Sequence, residues 1–126
     1  MTTVGVRYIV EDVREAADFY TDQLGFTVAI DATPGFAALD RGELRLFLNP
    51  PKGPGTASQP TPDGRVPEPG GWNRFQIVVD DIDAEVDRLK AADATFRNEV
   101  VRGDAGSQVL VEDPSGNLVE LWQPAA

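Results

Sequence analysis

Apolar and polar residues follow two different periods along this chain, and the same succession of periods occurs twice. VGVRYIV, Val4 to Val10, reads as a short β-branched strand. Val13, Ala16, Ala17, Tyr20 and Leu24 then recur at i, i+3, i+4, i+7 and i+11, the spacing of a helix with one buried face. Asp12 stands where an N-cap belongs, Glu15 three residues later completes a capping box, and Gly25 marks the stop. WNRFQIVV, Trp72 to Val79, repeats the strand, and Asp81 caps a second helix whose apolar face carries Ile82, Val86 and Leu89.

After each helix come short strand signals separated by turns. They are FTVAID, FAALD and LRLFLNP in the first half, and FRNEVV, QVLVED and LVELWQP in the second. GELRLFLNP, Gly42 to Pro50, lies over GNLVELWQP, Gly116 to Pro124, which sets Glu120 on Leu46. The chain is therefore read as a tandem βαβββ duplication, an α+β fold whose two modules curl mixed sheets around a shared cleft. Residues 1–126 form one domain, with module 1 at about 1–50 and module 2 at about 72–126. The Pro- and Gly-rich stretch 50–71 between them is too broken for a helix or a central strand, and reads equally as a linker, a lid or a dimer arm.

Composition narrows the chemistry. With no cysteine and no histidine, disulfides, thiolate nucleophiles, a Ser-His-Asp triad and the usual zinc sites are all excluded, leaving only oxygen ligands for a metal. The 21 acidic against 11 basic side chains, net charge −10, repel nucleic acid and anionic membrane surfaces. No stretch has membrane-spanning length and no leader is signalled, so the expected setting is the cytoplasm. The acids of VDDIDAE suit a helix N-terminus, and DPSGN is a turn between strands.

Glu120 breaks the apolar pattern of LVELWQP, and a charge on a half-buried strand needs a partner. The paired modules, DVREAADFYTDQLGF, VDDIDAEVDRLKAAD and VEDPSGNLVELWQP together resemble the vicinal oxygen chelate superfamily, which includes glyoxalase I, extradiol dioxygenases and bleomycin-resistance proteins. The resemblance covers essentially the whole chain. It implies metal ligands on the first and last strand of each module, and a homodimer. Carried over, those positions are Gly5, Leu46, Arg74 and Glu120, of which only Glu120 is a ligand type, so no metal site and no cofactor is expected. Arg74 faces Glu120 in the family arrangement, and an ion pair between them is the expected replacement. Strand parity adds Arg7, Gln76 and Trp122 to the inward face, with Trp72, Asn98 and Gln108 as further ligand-binding candidates.

Three functions follow. The first is a metal-free protein binding a small aromatic or cationic metabolite or antibiotic. The second is a metal-independent isomerase, epimerase or other lyase in which Glu120 and Arg74 are the catalytic candidates. The third, a metal-dependent glyoxalase or dioxygenase, ranks last because the ligand positions are lost.

Overall fold

The structure, a computed structural model, describes residues 4–126, which fall into two units, one ending at Gly70 and one running from Gly71 to the C-terminus. In the first unit, strand β1 (Gly5–Ile9) leads into helix α1 (Val13–Leu24), followed by β2 (Thr27–Ala32), β3 (Phe36–Arg41) and β4 (Leu44–Asn49). The Asp12 carboxylate accepts from the Glu15 amide, satisfying one of the free donors of the first turn, and Gly25 closes the helix at φ 73°. Val13, Ala16, Ala17, Tyr20 and Leu24 are its buried residues, as the spacing requires.

The four strands order as β1-β4-β3-β2, with β1 parallel to β4 and the other pairs antiparallel. Val6 and Tyr8 pair with Leu46 and Leu48; Tyr8, Leu39, Leu46 and Leu48 are buried on the side of the sheet toward α1, with Val6 half-buried beside them. β2 is an edge strand exposed at every position, and its pairing with β3 skips a residue between Val28 and Ile30, a β-bulge.

The second unit repeats the plan with β5 (Arg74–Val78), helix α2 (Ile82–Ala91), β6 (Thr95–Phe96), β7 (Val101–Arg102), β8 (Gly106–Glu112) and β9 (Leu118–Pro124). Asp81 caps α2 by accepting from the Ala84 amide. The strands run β5-β9-β8-β6, with β7 also on β8, and β5 is parallel to β9. Ile82, Val86 and Leu89 bury with Val109, Val111, Val119 and Leu121. Neither sheet closes, and the architecture is α+β with one helix for each mixed sheet.

FRNEVV, expected to be a single strand, is interrupted. The Arg97 amide still reaches the Leu110 carbonyl, but the Leu110 amide takes the Asn98 side-chain oxygen at 2.8 Å in place of a strand carbonyl. An asparagine that satisfies a backbone donor lets the chain leave the ladder between β6 and β7 without orphaning it.

The segment after β4 folds back on unit 1. A 3-10 turn at Thr56–Ser58 is pinned by Lys52 N–H to the Ser58 carbonyl at 2.9 Å, and the Gln59 side-chain NH2 donates to the carbonyls of Gly53 and Gly55. Pro54 comes so close to Gly35 that a Cβ there would stand 3.1 Å from its ring, and Gly55 likewise abuts the side-chain nitrogen of Asn49.

Candidate functional site

In unit 2 the parallel β5–β9 register sets Gln76 directly beside Glu120, with Arg74 one pleat earlier on the same face. Arg74 donates to Glu120 Oε1 from Nε at 3.1 Å and from Nη2 at 2.9 Å, while Gln76 Nε2 donates to Oε2 at 2.7 Å. Both carboxylate oxygens are therefore engaged. The pair is shielded, with side-chain exposure of 32% for Arg74 and 13% for Glu120. The remaining Arg74 nitrogen, Nη1, reaches the Trp72 carbonyl at 3.4 Å.

Other expected ligand residues are placed separately. Gln108 pairs with Trp122 across β8 and β9, on the face that carries Glu120, and its buried side-chain oxygen has no hydrogen-bond partner. The Trp122 ring covers Gly106, where an added Cβ would meet it at 2.7 Å. Trp72 is 66% exposed, and the Arg97 guanidinium lies 4.7 Å from its ring centre. Arg97 also donates to the carbonyls of Gly71 and Gly116 and to Glu112, so it ties strand ends together. The side-chain oxygen of Asn98 is spent on the Leu110 amide.

Unit 1 corrects the expected correspondence between modules. Val10 N–H bonds to the Asn49 carbonyl as Val79 N–H bonds to that of Trp122, so Asn49 corresponds to Trp122 and Phe47, not Leu46, to Glu120. The pairing of Arg7 with Phe47 beside that of Gln76 with Glu120 says the same. Leu46 is fully buried on the helix side. The reason is that Leu46 and Leu48 answer Val119 and Leu121 as the core-facing alternation, whereas matching Pro50 to Pro124 slips the strands by one residue and turns every side chain to the wrong face.

The face opposite α1 therefore carries Gly5, Arg7, Phe47 and Asn49. A Cβ on Gly5 would stand 2.5 Å from Phe47 Cε2, so that ring occupies the space a ligating side chain would need. The Arg7 guanidinium lies 5.0 Å from the centre of the Phe47 ring, which stacks with Phe36 at 6.1 Å. Arg45 clasps Asp40 on the adjacent strand at 2.8 and 2.9 Å, and this hydrogen bonding holds the Asp40 carboxyl below the ordinary carboxylate range.

The four positions at which the resemblance places metal ligands thus hold a glycine, a phenylalanine, an arginine and a glutamate already bonded to two donors. That donor set does not fit a divalent metal, which needs several oxygen or nitrogen ligands in fixed geometry. Among the described residues, no three His, Cys, Asp or Glu side chains gather as a metal group.

Sequence reasoning passed over Asn49, which is 2% exposed and whose side-chain oxygen has no hydrogen-bond partner. A polar residue ending a strand of alternating leucines was the available signal.

Comparison with known proteins agrees with this architecture. The sequence model described as Glyoxalase/Bleomycin resistance protein/Dioxygenase superfamily matches residues 3–121. The chain is 30% identical over 119 residues, 89% of its length, to the Mycobacterium bovis protein named "Putative glyoxylase CFP32", of which it spans 41%. A superfamily member from Sphaerobacter thermophilus superposes with a TM-score of 0.74 at 25% identity, covering 94% of each chain. TnmS3, an antibiotic binding protein from Streptomyces, superposes at 0.71 and 25% identity, covering 96% of this chain and 93% of its own. By the family match over nearly all of its length, this chain belongs to the Glyoxalase/Bleomycin resistance protein/Dioxygenase superfamily.

Proposed function

We propose that this protein binds a small organic molecule without a metal, as a metal-independent branch of its superfamily. The observation that carries the reading is the neutralised chelate position. Glu120, the one residue of ligand type, is taken by Arg74 and Gln76, and Phe47 fills the space above Gly5. The likeness to the antibiotic-binding TnmS3 supports a binding role. The reading includes a cytoplasmic homodimer, for which the exposed Val78 on β5 supplies apolar surface.

Acid–base catalysis by Glu120 is the weaker reading, since three of the roughly four lone-pair directions of its carboxylate already accept from Arg74 and Gln76.

The test is metal analysis of the purified protein, followed by thermal shift with nickel, zinc, manganese and iron(II). The expected result is no stoichiometric metal and no stabilisation. A small molecule at a hundredfold its Kd would instead add about 2.7 kcal/mol to stability, which reads directly as a higher Tm. One tightly held metal per chain would overturn the reading.

A further inference from the structure

We propose that a cavity on unit 1, between the sheet face opposite α1 and the folded-back segment after β4, is the binding site for the carboxylate of a small planar organic acid. This rests on the small-molecule reading above, and gives it a place and a charge. The cavity measures about 440 Å³, within the usual range for ligand pockets. Arg7, Phe36 and Asn49 come to it from the sheet, Gly35 from the turn after β2, and Gly55 and Thr56 from the folded-back segment.

Charge supplies the first argument. The chain carries 21 acidic side chains against 11 basic ones, yet no carboxylate lines this cavity and its one charged group is a guanidinium. Arg14, Arg45, Arg65, Arg74, Arg88, Arg97 and Arg102 all have carboxylate partners, and Arg41 donates to the Leu24 carbonyl. Arg7 forms no ion pair among the described residues and is held only over the Phe47 ring. A planar fork fixed by stacking and left without an anion is preorganised for bidentate capture of a carboxylate.

The floor supplies the second. Asn49 is almost wholly buried with its side-chain oxygen unpartnered, an arrangement that costs stability and gives the fold nothing in return. That oxygen is an acceptor and does not itself draw an anion; the donor Asn49 offers is its NH2 group, which lies beside Gly55 at the cavity wall. Thr56 adds a hydroxyl at the rim.

Shape supplies the third. Phe36 and Arg7 line the same cavity, so it offers a flat ligand body an aromatic wall and a guanidinium together. The anionic end then meets Arg7. The net charge of the chain opposes an anion at long range, so selectivity has to come from these contacts.

The experiment is titration calorimetry of the full chain with benzoate and cinnamate, with their amides, and with benzylamine. The carboxylates are expected to bind at least tenfold more tightly than the amides, and benzylamine not at all. Arg7→Met, which keeps the contact with Phe47 and drops the charge, should weaken the carboxylates by tenfold or more. Asn49→Leu should weaken them as well while leaving Tm unchanged or raised, because it removes the orphaned amide; this second variant keeps the test decisive should Arg7→Met fold poorly. Carboxylate affinity unaltered in the variants, or preference for the amides or the amine, overturns the site and leaves the binding function standing. Absence of binding by every compound also overturns the proposal, whereas the metal-free reading fails only on the metal analysis.

Discussion

Separating the Arg74–Glu120 pair should destabilise the protein asymmetrically. Replacing Arg74 by Met removes two donors from a carboxylate that is only 13% exposed and leaves it Gln76 alone. Hydrogen bonds to a charged group contribute about 1.5–3 kcal/mol, while exposed ion pairs contribute roughly 0–1. With the Arg74 side chain 32% exposed, solvent screening places the cost of Arg74→Met between these ranges, at about 1–2 kcal/mol. Glu120→Leu should cost less, since the freed guanidinium can turn to water and the apolar side chain suits a strand flanked by buried Val119 and Leu121. The double variant should cost less than the sum, with a coupling of about 1 kcal/mol measured by urea unfolding of all four proteins. If the two single effects add to within about 0.3 kcal/mol, the pair is not an energetic unit and the argument for a substituted chelate position collapses.

Gly5→Ala should drive a methyl into the Phe47 ring and cost about 1–3 kcal/mol as overpacking, and Phe47→Leu in the same chain should recover much of it; equal Tm for wild type and Gly5→Ala would show that the ring moves freely. Asp81→Ala should lose about 1 kcal/mol by uncapping α2, read by denaturant midpoint at constant m-value. Hydrogen bonding from Arg45 lowers the Asp40 carboxyl from its usual 3.8, so its contribution is complete above that pH and lost as pH falls through the lower folded value. Asp40→Asn should therefore flatten the acid limb of the stability curve below about pH 4 and leave its slope near neutrality unchanged; a changed slope at pH 6–8 would contradict the assignment.

Most of the scaffold was legible because its signals are local. Asp12 and Asp81 cap the helices that their neighbours' spacing announced, and LVELWQP is the strand β9 residue for residue. Two features resisted. The one-residue slip between Leu46 and Phe47 arose from aligning prolines, when the alternation of Leu46 and Leu48 with the core was the stronger constraint. The seating of Pro54 and Gly55 against Gly35 and Asn49 has no period, because a Pro/Gly segment docks by shape and backbone hydrogen bonds. Residues that form the candidate site in unit 1 were consequently split. Arg7 was found by parity, while Asn49 needed the folded-back segment to become a buried orphan. In unit 2, the family resemblance set Arg74 opposite Glu120 and parity added Gln76, and the three side chains meet.

The bulge between Val28 and Ile30 bears on how this protein remains dispersed in a crowded solution. An outer strand with every residue in water offers a ladder of backbone donors and acceptors on which another chain can grow a fibre. The skipped residue breaks the even spacing of that ladder and twists it locally, so an incoming strand cannot stay in step along its whole length. Deleting Ala29 would straighten the edge and create a nucleation template out of an otherwise unchanged surface.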